Sequence, residues 1–205
     1  FTGQYSKFYL TFMGKPWLAD MIRFNTEAAR QLGFRSVPDL KKAVAVTIRE
    51  YVRDGGFLFA MCTATETIDL ALAAEHVDIA ATFADGTPID PDADGRLDWS
   101  RSLAFTGARV EPSPQIPSFS DIDGHQVNAG ARRQPLGAFK LFNFSAKIDP
   151  VPTILVQNHR QVIPDFYGLT TSFMRNRLKP SVTVLGEEEG APWVKYIHDD
   201  LGKGT

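Results

Sequence analysis

The sequence predicts an α/β protein built on a doubly wound, mostly parallel sheet, with a long irregular insertion at about residues 85–135. Three observations predict it. Apolar residues recur at helical spacing in segments that end at glycine. Between two such segments, residues 57–61 are apolar without a break, as in a strand covered on both faces. The order helix, buried strand, helix, strand is the rhythm of a parallel sheet. The 205 residues suffice for one α/β domain with a sizeable core, and residues 1–205 read as a single domain.

The elements follow in order. Residues 8–12 are aromatic and β-prone, a strand or a packed arm. Pro16 opens a helix to about Leu32, with Leu18, Met21, Ile22, Ala28, Ala29 and Leu32 on one stripe and Gly33 beyond its end. A second helix runs from about Pro38 to Arg53. Its stripe is Leu40, Val44, Ile48, Tyr51 and Val52, and Gly55 caps it. The strand 57–61 comes next, then a helix from about Ala64 to Glu75 and a short strand at 77–80. The middle changes character. Residues 85–101 are rich in Asp, Gly and Pro, 103–110 are a strand candidate, and 112–135 read as irregular, a kind of segment that is often functional. Strands are expected again at 138–144, 153–156 and 181–185, the last with β-branched alternation. No repeat, low-complexity run or interdomain linker interrupts the chain.

Composition excludes several classes. Net charge is −2, with no basic block, so nucleic acid and anionic membrane are poor partners. No apolar run has the length of a membrane span. The expected partner is a small molecule; oligomerisation is left open. With one cysteine, an intrachain disulfide framework and a multi-cysteine metal site are both excluded. The chain starts at Phe1 without Met or a signal-like segment, and Gly202-Lys203-Gly204-Thr205 resembles the lead-in to a further strand. A segment trimmed at both ends is therefore expected, and cytoplasm and periplasm stay open. Neither a GxGxxG nor a Walker loop occurs, so no cofactor is called for.

The single cysteine, Cys62, falls in Gly55-Gly56-Phe57-Leu58-Phe59-Ala60-Met61-Cys62-Thr63-Ala64-Thr65-Glu66-Thr67, at the strand-to-helix turn. Ala60 and Ala64 flank it at two residues on each side. A nucleophile elbow needs small neighbours there, because its turn is sharp and its backbone strained. The positive end of the next helix dipole lies behind it. The alternative is a buried cysteine packed as a small hydrophobe. Thr63, Thr65 and Thr67 can cap that helix or hold an anion, and Glu66 can meet the dipole or steer a substrate. His159 follows the strand expected at 153–156, where α/β sheets bind ligands, and can serve as base to Cys62; the alternative is a His bonded to its own loop. Gln157 and Asn158 share that position. Thr170 and Thr171 can line the same cleft or cap a turn. Asp90, Asp92, Asp94 and Gly95 resemble a calcium loop, but position 12 holds Arg101 in place of the bidentate Glu, so a turn is expected and no metal site.

The run from Gly55 to Thr67 resembles the class I glutamine amidotransferase-like superfamily. ThuA-like proteins carry a similar glycine-led strand followed by Ser-Ala-Thr-Asp-Thr, matched here by Thr63-Ala64-Thr65-Glu66-Thr67, with His where this chain has Cys62. Phe1-Thr2-Gly3-Gln4, Asp20-Met21-Ile22-Arg23-Phe24-Asn25, Phe119-Ser120-Asp121-Ile122-Asp123, Asp149-Pro150-Val151-Pro152-Thr153 and Lys179-Pro180-Ser181-Val182 resemble a bacterial group often labelled asparagine synthetase B. The resemblance covers nearly the whole chain and implies a flavodoxin-like sheet. It implies a Cys-His-Glu triad whose His and Glu lie late in the domain, yet no His-x-Glu stands there and the synthetase half is absent. Three functions are expected from this. The first is Cys-dependent hydrolysis of a small amide or related carbonyl substrate. The second is non-thiol, ThuA-like binding or processing of a small ligand or sugar. The third is a non-catalytic assembly component.

Overall fold

The computed structural model describes residues 10, 12–116, 118–124, 137–142, 161–164 and 172–205. Helix α1 is Pro16–Gln31, begun by a proline whose missing N–H costs nothing there. Leu18 and Ala29 are buried, while Ile22 and Leu32, read above as part of the stripe, are exposed. Helix α2 is Val37–Arg53. Ser36 caps it, accepting the Asp39 N–H at 3.2 Å. Its buried residues are Pro38, Lys42, Ala45, Arg49 and Val52, and Val44 and Tyr51 are exposed. Of the expected stripe, Val52 is buried and Leu40 and Ile48 are half-buried, while Val44 and Tyr51 face out. Lys42 and Arg49 lay their apolar stems inward and satisfy their heads on the Val77 carbonyl (2.8 Å) and the Arg101 carbonyl (3.4 Å).

Helix α3, Thr63–Ala73, is buried continuously from Glu66 to Ala73. Leu70 joins Val77, Ile79, Ala93 and Phe119 in one cluster. Ile68, Ala71 and Leu72 pack with Ala45 of α2 in another. A helix apolar on several sides belongs in the interior. Two short helices, α4 (Thr82–Asp85) and α5 (Ala93–Arg96), and 3-10 turns at Trp99–Arg101 and Arg175–Arg177 are the other helical elements among the described residues.

The sheet overturns the expected fold class. Its strands are β1 (Phe139–Leu141), β2 (Val162–Ile163), β3 (Phe173–Met174), β4 (Thr183–Glu188) and β5 (Trp193–His198). They lie in the order β2-β1-β4-β5-β3, and every described pair is antiparallel. The described sheet is therefore not the doubly wound, mostly parallel, flavodoxin-like sheet. The cause lies in the strands chosen. The 57–61 run forms no ladder. Phe57 and Met61 are 45% and 65% exposed, and the run is tied through Leu58 N–H to Thr205 (2.8 Å) and Thr205 N–H to Gly56 (3.1 Å). At 77–80 the backbone bonds to Asp90 instead of a strand: Asp90 N–H meets the Asp78 carbonyl at 2.9 Å, and the Asp90 carboxylate takes the Asp78 N–H at 3.0 Å. The β4–β5 pair is a hairpin, whose short connection permits only antiparallel pairing.

Residues 103–110 make isolated bridges, Phe105 to Leu178 and Val110 to Ser120. Phe105, Ala108 and Ile122 form a buried cluster with Phe173 and Val194, so the expected insertion supplies core. The strand expected at 153–156 lies outside the described residues, as does most of 8–12. At the 201–205 turn, a Cβ on Gly204 would collide with the Val52 and Gly56 carbonyl oxygens. Glycine is what lets this turn seat on the end of α2.

Candidate functional site

A cavity of about 460 Å³ lies among residues 58–62, the first turns of α3, the 103–104 turn, β5 and residues 199–205. Cys62 lines it and is exposed. Cys62 is also the N-cap of α3, with φ 57° and ψ −142°. That is a backbone state glycine favours and a side chain pays for, at about 1–3 kcal/mol. The turn is held by local bonds: Ala64 N–H to the Met61 carbonyl (3.2 Å), Thr65 N–H to the Cys62 carbonyl (3.3 Å), and Thr65 Oγ1 donating to the Ala60 carbonyl (3.1 Å). The strain is testable. Cys62→Gly is expected to raise unfolding stability by about 1 kcal/mol, read as a shift in the denaturant midpoint. A Gly variant no more stable than the parent contradicts a strained elbow.

Two buried carboxylates on α3 hold that helix in place. Asp69 lines the cavity and accepts three backbone N–H groups, from Leu103 (2.7 Å), Ala104 (2.8 Å) and Phe105 (2.8 Å). Burial pushes its pKa up to about 6, and the three N–H groups oppose the rise. Glu66 is 3% exposed and accepts Ser120 Oγ at 2.5 Å. Burial pushes it up to about 8; the Ser120 bond works downward, and Asp123 nearby adds to the rise.

Of the residues expected from sequence, the structure brings Cys62 and Thr65 to the cavity. Thr63 follows Cys62 as the first residue of α3 and gives its carbonyl to Thr67 Oγ1 at 2.9 Å. Glu66 faces Ser120 and does not line the cavity. His159, Gln157, Asn158, Thr170 and Thr171 lie outside the described residues. His76 has an 80% exposed side chain, and His198 is held by Thr205 Oγ1 with Asp200 at 3.4 Å. Of the calcium-like carboxylates, Asp90 and Asp94 are engaged within the chain, as is the nearby Asp98. Asp90 pairs with Arg96 at 3.0 Å, Asp94 accepts the Val110 N–H at 2.8 Å, and Asp98 accepts the Ser100 N–H at 3.1 Å. Among the described residues no group of three His, Cys, Asp or Glu could hold a metal, and no helix is long and apolar enough to cross a membrane.

No protein-family model, curated protein or solved structure matches this chain.

Sequence reasoning missed Lys195, Tyr196, Asp199 and Asp200, which line the cavity from β5 and the segment after it. One signal was present. Lys195 is the only cation within the apolar run Trp193–His198, and a lone cation there calls for a buried partner.

Proposed function

We propose that this chain is a cysteine-dependent hydrolase of a small amide or related carbonyl compound, with Cys62 as nucleophile. The observation that carries the reading is the strained backbone of Cys62 at a strand-less elbow, φ 57° and ψ −142°, with its side chain on a 460 Å³ cavity. Ligand clefts have this size, and such strain clusters where a nucleophile must be presented. The small residues flanking Cys62, Ala60 and Ala64, and the resemblance to amidotransferase-like proteins support the same reading.

The chemistry follows from that placement. The Cys62 thiolate adds to the carbonyl carbon and drives its π electrons onto oxygen. The Cys62 and Thr63 N–H groups, ahead of the two that close the turn, are the proposed oxyanion donors. The tetrahedral adduct collapses to a thioester as the C–N bond breaks, and the protonated base, which took the proton of the thiol, gives it to the leaving nitrogen. Water, deprotonated by the same base, then cleaves the thioester and frees the thiol. His159 is the proposed base.

Iodoacetamide at neutral pH tests the reading. Cys62 is exposed, so access does not limit the reaction. Alkylation at least about tenfold faster than that of free cysteine is expected. A rate equal to free cysteine refutes the nucleophile. Unchanged ligand binding or activity in Cys62→Ser favours the non-thiol, ligand-binding reading.

A further inference from the structure

We infer that the Cys62 cavity takes an amide whose acyl part is apolar and uncharged, and turns away charged amides such as the zwitterion glutamine. This deepens the reading of that cavity as a site of amide hydrolysis, and rests on it. Most of the described wall is apolar, with Val52, Leu58, Phe139, Phe173, Ile197 and Leu201 among the contributors. Such a wall offers contact to carbon and no hydrogen bond, so a ligand filling it must bring apolar surface.

The charged groups of that lining already have partners or water. Lys195 is the one basic side chain among the described lining residues, and it is 5% exposed. Its Nζ donates to Ser172 Oγ at 2.7 Å and stands 3.9 Å from Glu188 Oε2. Neither partner lines the cavity, so these contacts lead away from it. Asp69 accepts three backbone N–H groups. Asp199 accepts Ser181 Oγ at 2.8 Å. The Asp200 side chain is 77% exposed, with His198 Nε2 at 3.4 Å, and water and salt screen it.

The preference for a neutral ligand follows. A carboxylate entering the cavity leaves water for apolar walls and comes among Asp69, Asp199 and Asp200, which repel it. An ammonium is also better left in water. The oxygens of Asp69 are covered by N–H groups, Asp199 already holds a hydroxyl, and an exposed carboxylate such as Asp200 adds little by pairing. An uncharged amide meets neither cost. Its polar end lies at the elbow, and its acyl carbons cover the wall.

The test is calorimetric titration of the Cys62→Ser protein with phenylacetamide, phenylacetate and phenethylammonium, which share a shape and differ in charge. Phenylacetamide is expected to bind at least about tenfold tighter than phenylacetate or glutamine, and tighter than phenethylammonium. Met61 lines the cavity and is 65% exposed, so Met61→Lys adds an ammonium to the lining without disturbing the core. In that background the preference over phenylacetate is expected to fall at least about threefold. Either ion or glutamine binding as tightly as phenylacetamide, no binding of any probe, or a preference untouched by Met61→Lys overturns the proposal. The titration needs no reactive thiol. Slow alkylation of Cys62 in the parent protein would sink the hydrolase and leave the preference for neutral apolar amides standing. Fast alkylation with equal affinities for the probes would do the opposite.

Discussion

Asp69→Ala is expected to destabilise the fold by about 3–5 kcal/mol, among the largest losses any single change in the described core can cause. The carboxylate is 1% exposed and takes the N–H groups of three successive residues, Leu103, Ala104 and Phe105. Alanine removes all three acceptor contacts at once and leaves the donors buried. A buried donor without a partner costs about 1–3 kcal/mol, and relief from burying a charge offsets part of the sum. Asp69→Asn keeps one acceptor oxygen but turns an NH2 group toward N–H donors, so an intermediate loss of about 2 kcal/mol is expected. Leu103 and Ala104 also line the cavity, so the wall opposite the elbow loosens with the clamp. Denaturant unfolding of both variants checks this. A loss below about 1 kcal/mol for alanine would show that the clamp carries no net stability.

Stability is expected to fall as pH rises through the range in which Glu66 ionises. Its carboxyl is pushed from the ordinary 4.5 to about 8, chiefly by burial. A carboxyl with a raised folded pKa binds its proton more tightly in the folded state than in the unfolded one. The resulting stabilisation is complete below about pH 4.5 and is lost as pH rises through 8. Between pH 6 and pH 9 the loss from this one group is about 2–3 kcal/mol. Asp69 acts in the same sense over a lower window, ending near its value of about 6. Glu66→Gln is neutral, keeps an oxygen for Ser120 Oγ, and removes the titration. Unfolding midpoints of parent and Glu66→Gln at pH 6, 7, 8 and 9 should diverge steadily in favour of glutamine. A difference that stays flat across that range would mean that Glu66 is already ionised when folded.

These carboxylates show where sequence reading stops. Asp69 reads in sequence as one more acidic residue near a helix start, suited to a dipole. Its partners stand 34 to 36 residues away, and no local pattern announces them. Lys42 and Arg49 stand outside the stripe expected for α2. The fold buries their stems and bonds their ends to the Val77 and Arg101 carbonyls, rotating the buried stripe away from Val44 and Tyr51. The 57–61 run reads as a central strand because it is apolar. Whether such a run pairs depends on what lies beside it, and here the Leu58 N–H meets the Thr205 carbonyl of the 201–205 turn, with no ladder formed.

Local chemistry in the sequence determined the helices and the turn at Cys62. Proline at a helix start, serine at a cap and 3.6-residue spacing act within a few residues, as does the demand for small neighbours at a sharp turn. Tertiary structure alone decided the antiparallel sheet, the buried Lys195 side chain beside Glu188, and the gathering around Cys62 of cavity residues from distant parts of the chain. Strand direction and the burial of a charge are settled by partners distant in sequence. The free energy that settles them, desolvation against hydrogen bonding, exists only once those partners meet.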